Sequence, residues 1–238
     1  MWADIIDQIL IIRVRKLSYF LFLFGLGVHT YGQVKTLDIP VFKNGEQSLW
    51  YKWQQENVTA IGLPDLTKST DSLHFRFATE TQMVDIWTND FKKFDGVVYN
   101  FTKKYDSKNS NYDSASVFMN KKKLKHAEAQ ELYKIFKNKA IFEIPSQEKI
   151  PGWGGIGSDG VTYLIEYSTP QHYSMKSYWT PGGLRYQVKE ANIIYALVGQ
   201  LELNLGLRYS FQKFINHLPK GCYQAGGMML ACNNKVKK

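Results

Sequence analysis

Two carboxylates beside a glycine-rich stretch are the first residues whose types suggest chemistry. Asp159 and Glu166 could supply the pair that glycoside hydrolysis requires at a separation of about 5 to 9 Å. They are seven residues apart, which is about 23 Å along an extended strand, so they cannot act together unless the loop folds back. We interpret Asp159-Gly160 as a turn instead, and we expect Glu166 to form a cross-strand ion pair with Lys176 or a neighbour.

Tryptophans flank the same region. Trp153 lies among glycines, and Trp179 ends an aromatic run. Such rings form platforms that stack on the flat faces of sugars, although tyrosines at alternate strand positions are also typical of a buried sheet face. The candidate ligand-binding residues are Trp153, Asp159, Glu166 and Trp179.

Other motifs indicate no catalytic residue, metal site or cofactor. The stretch 155–160 matches G-x-G-x-x-G, but it precedes a strand instead of joining a strand to a helix, as a dinucleotide site requires. None of the histidines after residue 33 has the i, i+4 spacing of a helical metal site or a G-x-S-x-G neighbour. These histidines are His74, His126, His172 and His217.

The two cysteines are expected to form a structural disulfide. Cys222 and Cys232 are the only cysteines in the chain, and an even count in an exported protein indicates a bridge. The pair would join a C-terminal hairpin that turns at Gly226-Gly227.

The N-terminal region predicts export. Arg13, Arg15 and Lys16 precede an uncharged apolar run at 17–28, and the small residues that end at Gly32 suit cleavage before Gln33. The run is shorter than the roughly 20 residues of a membrane-spanning helix, and it lacks the cysteine of a lipoprotein. We therefore expect residues 1–32 to be a signal peptide with a mis-called upstream start, and the product to be periplasmic or secreted without a stable transmembrane segment.

The chain is basic. Its 30 lysines and arginines exceed its 21 aspartates and glutamates, which gives a net charge of +9. No nucleic-acid-binding motif accompanies the lysine clusters, so we expect no nucleic acid partner, and we interpret the clusters as solvated surface.

Hydrophobic periodicity predicts the elements after residue 73. Apolar and polar residues alternate in three segments within 73–102 and in two within 161–179, which predicts five strands. Apolar residues recur every three or four positions in the segments 121–140, 187–205 and 208–218, which predicts three helices. Residues 33–72 are expected to pack without much regular structure, and 106–116 to form an exposed loop. Strands grouped before helices predict an α+β domain over 73–238, with helices on one face of an antiparallel sheet.

Several short stretches of the chain together carry a resemblance. They are 84–87, 90–91, 150–153, 159–167, 176–181 and 218–223, with Gly96, Gly226-Gly227-Met228-Met229 and Cys232. These stretches are similar to a family of uncharacterised exported proteins of Bacteroidota-type bacteria. The resemblance spans roughly residues 73–232 and implies secretion and a shared fold, with no activity or site residues attached.

Two functional hypotheses follow. The favoured one is an exported, non-catalytic binding or structural domain whose partner is an envelope component or another protein. The alternative is a hydrolase acting on envelope or extracellular polymer, with its site near Trp153, Asp159 and Glu166.

Overall fold

The computed structural model describes residues 34–41, 45–154, 159–227 and 229–234, except for the side chains of 114 and 115. The chain divides into the units Met1–Val34 and Lys35–Lys238, and the second holds the fold. The expected signal peptide and its cleavage site lie outside the described residues, as do the first four residues of the glycine motif.

The described residues form nine strands in one mixed sheet that is mostly antiparallel. Its order is β1-β7-β6-β2-β3-β4-β8-β9. β5 pairs with the edge of β4 opposite the one that pairs with β3. Of the described strands, only β1 pairs in parallel, and its partner is β7. The strands are β1 (Thr36–Asp38), β2 (Leu73–Ala78), β3 (Gln82–Thr88), β4 (Asp95–Asp106), β5 (Asn111–Lys123), β6 (Thr162–Ser168), β7 (His172–Trp179), β8 (Gly221–Gln224) and β9 (Leu230–Asn233).

The part of the chain that the structure describes also contains five α-helices. Their ranges are α1 (Leu49–Ala60), α2 (His126–Asn138), α3 (Pro181–Leu184), α4 (Lys189–Leu205) and α5 (Leu207–Ile215). Gly206 ends α4 in the left-handed conformation (φ 60°), which favours glycine because it has no Cβ. Within the described ranges, no helix is both long and apolar enough to cross a membrane.

Each face of the sheet has its own core, because successive strand residues point to opposite sides. Phe75, Phe77 and Ile165 face α2 and α4 in the larger core. Ala78 and Met83 face the other way and pack with residues of α1. We call these the helical face and the N-terminal face.

The structure confirms the α+β fold and the mostly antiparallel sheet. It adds α1 on the face opposite α2 and α4, within the segment 33–72 where we expected little regular structure. Ser48 begins α1 by accepting a hydrogen bond from the Tyr51 amide at 3.2 Å.

Two expectations for the middle of the chain were wrong. The stretch 106–116 is not a loop, because β4 continues to Asp106 and β5 begins at Asn111. Lys121–Lys123 belong to β5, and the helix starts only at His126. Among the described strands β5 pairs only with β4, and lysines are suited to such an edge because they oppose further strand pairing.

The C-terminal hairpin carries the expected disulfide between Cys222 and Cys232. The two cysteines are directly opposite each other in β8 and β9. The hairpin joins the sheet where Tyr223 pairs with Lys104 of β4, beyond the end of β3.

Candidate functional site

The structure brings two of the four sequence-predicted site residues together. The Trp153 indole Nε1 donates a hydrogen bond to the Trp179 carbonyl at 3.1 Å, and the Trp153 ring packs on Tyr178. Both tryptophans are half-buried. Asp159 is exposed and lies just before the start of β6.

Glu166 lies elsewhere, fully buried on the N-terminal face. Gln54 Nε2 donates to Glu166 Oε2 at 2.6 Å, and the Tyr173 hydroxyl donates to Oε1 at 2.7 Å. The sheet therefore separates Glu166 from Trp153, which packs against the core of the helical face.

The expected cross-strand ion pair of Glu166 is formed with Arg76, which lies opposite it in β2, and the alternative partner Lys176 was wrong. Glu166 is opposite Met175 in the β6–β7 ladder, whereas Lys176 is opposite Ile165. A difference of one residue in register places Lys176 on the other face of the sheet.

A buried charged network, which we call the arginine cluster, surrounds Glu166. It contains Arg76, Asp85, Glu166, Gln54 and Tyr173. Arg76 donates from Nε to Asp85 Oδ1 at 2.7 Å and from Nη2 to Oδ2 at 3.0 Å, which is a bidentate pair. Arg76 Nη1 lies 3.5 Å from Glu166 Oε2, and the side chains of Arg76, Asp85 and Glu166 are all almost fully buried.

The pKa shifts follow from this packing. Burial alone would raise the pKa of Asp85, but the charge of Arg76 and the contacts with His74 and Arg76 outweigh it and lower the pKa to about 2. Burial and the neighbouring charge of Glu166 raise the pKa of Tyr173, so its hydroxyl remains a donor. The carboxylate of Asp85 is thus kept ionised and unsuited to act as a general acid.

A cleft of about 450 Å³ opens beside the arginine cluster, and we call it the histidine cleft. Its walls include the half-buried rings of Trp87 and Tyr99, and His74 stacks on Trp87 with centroids 5.6 Å apart. The complete lining is Pro64, Lys68, Ser69, Thr70, Asp71, His74, Asp85, Trp87 and Tyr99.

Carboxylates face both nitrogens of His74. Its Nδ1 is 2.9 Å from Asp71 Oδ2, within hydrogen-bond distance, and its Nε2 is 3.6 Å from Asp85 Oδ2, which is too long for one. The buried Nε2 has no hydrogen-bond partner among the residues that the structure describes. His74 thereby connects the histidine cleft to the arginine cluster.

Sequence analysis missed this site, apart from Glu166. A signal was present, since His74 and Arg76 alternate with apolar residues in β2 and Asp85 does so in β3. We interpreted that alternation only as strand periodicity and assigned no role to the polar positions, which α1 and the turn Leu66–Lys68 cover in the fold. Among the described residues, no group of three histidine, cysteine or acidic side chains is placed to hold a metal ion.

Searches of this chain against known protein families, curated proteins and solved structures find no match.

Proposed function

We propose that this protein is an exported, non-catalytic domain of the cell envelope that binds a neutral saccharide in the histidine cleft. The disulfide suits an oxidising compartment, and the predicted signal peptide and the resemblance to exported proteins support the same location. The observation that carries the ligand assignment is the pairing of aromatic walls with a polar floor in one open cleft.

The cleft offers the two kinds of contact that a sugar ring uses. Trp87 and Tyr99 provide aromatic surface for the apolar face of a pyranose. Ser69, Thr70 and Asp71 provide hydroxyl and carboxylate groups for its hydroxyls. A concave site with few polar groups among aromatic walls is the usual form of a small-molecule site.

The charges in the cleft favour an uncharged ligand. Asp85 is neutralised by the bidentate contact with Arg76. Lys68 at the rim is 3.2 Å from Asp65, and Asp71 is shared between the His74 ring and a serine hydroxyl. These pairs balance the charged groups locally, so a charged ligand would compete with an existing partner.

The geometry favours binding over catalysis. The free nitrogen of His74 is buried and faces Asp85, so it does not reach a ligand in the open part of the cleft. Asp85 is fixed as a carboxylate by Arg76. Neither group is positioned to transfer a proton to a substrate.

Calorimetric titration of the purified domain with neutral glucan, mannan and chitin oligosaccharides tests the proposal. We expect measurable binding by at least one of them. Trp87→Ala should weaken that binding roughly tenfold, because a buried tryptophan contact is worth more than about 1 kcal/mol.

Trp153→Ala is the matched control, since Trp153 lies outside the histidine cleft and should leave the affinity unchanged. Loss of binding in Trp153→Ala but not in Trp87→Ala would move the site to the Trp153 and Trp179 region. Release of shorter sugars during the titration would instead support the hydrolase, and binding by none of the oligosaccharides would refute the saccharide assignment.

A further inference from the structure

A second cavity, of about 630 Å³, lies where the chain leaves β1 beside β7. Much of its wall is apolar, and Lys176 of β7 lines it. We call it the lysine pocket, and its lining is Asp38, Ile39, Pro40, Val41, Phe142, Glu143, Pro145, Ser146, Glu148, Lys149, Tyr167, Met175 and Lys176. It is on a different part of the sheet from the histidine cleft and has no role in the proposed saccharide binding.

Lys176 is unusual for a lysine because only 5% of it is exposed. Its Nζ donates to the Phe142 carbonyl at 2.7 Å and lies 5.6 Å from the centroid of the Tyr167 ring. Among the described residues, no carboxylate oxygen lies within 4.0 Å of this nitrogen. A buried ammonium with one neutral acceptor and no close counter-ion is poorly stabilised.

Burial is the main reason that the pKa of Lys176 falls to about 8, and the charge of Lys149 lowers it further. Asp38 and Glu143 act in the opposite direction without cancelling the effect. The other titratable groups of the pocket are Glu148, which accepts a hydrogen bond from the Ser177 hydroxyl, and Tyr167. Roughly a tenth of Lys176 is therefore a free amine at pH 7, and a free amine is a nucleophile.

We propose that Lys176 is a covalent binding site for small uncharged aldehydes that enter the lysine pocket. The amine lone pair attacks the carbonyl carbon, which gives a carbinolamine. The carbonyl oxygen then leaves as water with the two protons that the nitrogen gives up, and a C=N imine bond remains. The step needs no oxidant or reductant.

The pocket favours an uncharged aldehyde over an oxo acid. Asp38, Glu143 and Glu148 line it against Lys149 and Lys176, so a ligand carboxylate would meet more negative than positive charge. The apolar wall formed by Ile39, Val41, Phe142 and Met175 suits a short hydrocarbon chain or an aromatic ring.

Reductive trapping of the folded protein tests the proposal. The protein is incubated with benzaldehyde or propanal and sodium cyanoborohydride near neutral pH, and the alkylated lysines are identified by peptide mass spectrometry. We expect Lys176 to be labelled at least about tenfold faster than exposed Lys149. A lysine pKa lowered from 10.5 to about 8 raises the free-amine fraction by roughly two orders of magnitude, and the burial of Lys176 offsets part of that gain. Labelling of Lys176 should slow as the pH is lowered below about 8.

Two variants and one competing probe sharpen the test. Lys134→Arg, at an exposed lysine outside the pocket, should leave the labelling of Lys176 unchanged, whereas Lys176→Arg should abolish the fast-labelled site. Labelling of Lys176 no faster than that of Lys149 in the wild-type protein would overturn the proposal, and this comparison does not depend on the folding of any variant. Faster trapping of glyoxylate than of propanal would overturn the preference for uncharged aldehydes.

Discussion

Single hydrogen bonds hold the buried carboxylate of Glu166 in place. Its two oxygens accept from Gln54 and Tyr173, and Arg76 is the nearest positive charge. A buried charged group is stable only when its polar atoms are satisfied, because it has lost its contact with water. Each donor around Glu166 should therefore matter more than a comparable donor to a neutral group.

Two tyrosines of β7 allow a direct test of this difference. Tyr173→Phe removes the donor to Glu166, and we expect the free energy of unfolding to fall by about 1 to 3 kcal/mol. Tyr178→Phe removes a donor to the neutral Ile144 carbonyl, and the expected loss is about 0.5 to 1.5 kcal/mol. Urea unfolding of both variants measures the difference, and equal losses would show that the charge of Glu166 is not what makes the bond important.

At this scale the sequence identified Glu166 as a candidate ligand-binding residue, but it did not predict the side chains that surround it in the fold. Gln54 is 112 residues away along the chain, and no local pattern connects them. Strand periodicity shows that Glu166 and Lys176 each alternate with apolar residues, but the register alone decides whether they share a face. The histidine cleft was missed for the same reason, because its walls come together only in the folded chain.

At the scale of elements, regular periodicity was predictive where an element is amphipathic or buried. The expected helix at 187–205 is observed as α4, and the strands of the 161–179 hairpin are observed as β6 and β7. Prediction failed for α1, where the buried polar residues Gln54 and Asn57 interrupt the apolar stripe. It also failed for β5, where a polar edge strand has the composition of a loop followed by a helix.

The burial of α4 predicts a contrast between two of its leucines. Leu201 is fully buried in the core, so Leu201→Ala should lower the free energy of unfolding by about 2 to 5 kcal/mol. Leu203 is 87% exposed, and Leu203→Ala should change it by no more than about 0.5 kcal/mol. Similar effects of the two substitutions, measured by denaturant unfolding, would show that α4 does not pack on the sheet as described.

The unit Lys35–Lys238 as a whole is built around a sheet with different chemistry on its two faces. The helical face has the larger apolar core, whereas the N-terminal face combines a smaller apolar core with the arginine cluster. Contacts across long stretches of sequence join the N-terminal segment to this face, such as Lys35 Nζ to the Ser168 hydroxyl at 2.7 Å. The N-terminal face is therefore buried by the N-terminal segment that packs on it, and composition alone could not predict this packing.

The arginine cluster should make the whole molecule sensitive to acid. Because the pKa of Asp85 is lowered from 3.8 to about 2 in the folded protein, its ionised form stabilises the fold above the pKa of the unfolded chain. This stabilisation, of about 2 kcal/mol, should be lost progressively as the pH falls from near 3.8 to about 2. Urea unfolding at a series of pH values measures the slope of the unfolding free energy against pH.

Two variants test the origin of this slope. Asp85→Asn should be less stable at neutral pH and should show a flatter slope between pH 3.8 and about 2, whereas Asp159→Asn, at an exposed carboxylate, should keep the wild-type slope. An unchanged slope in Asp85→Asn would show that the contact with Arg76 does not couple protonation of Asp85 to folding.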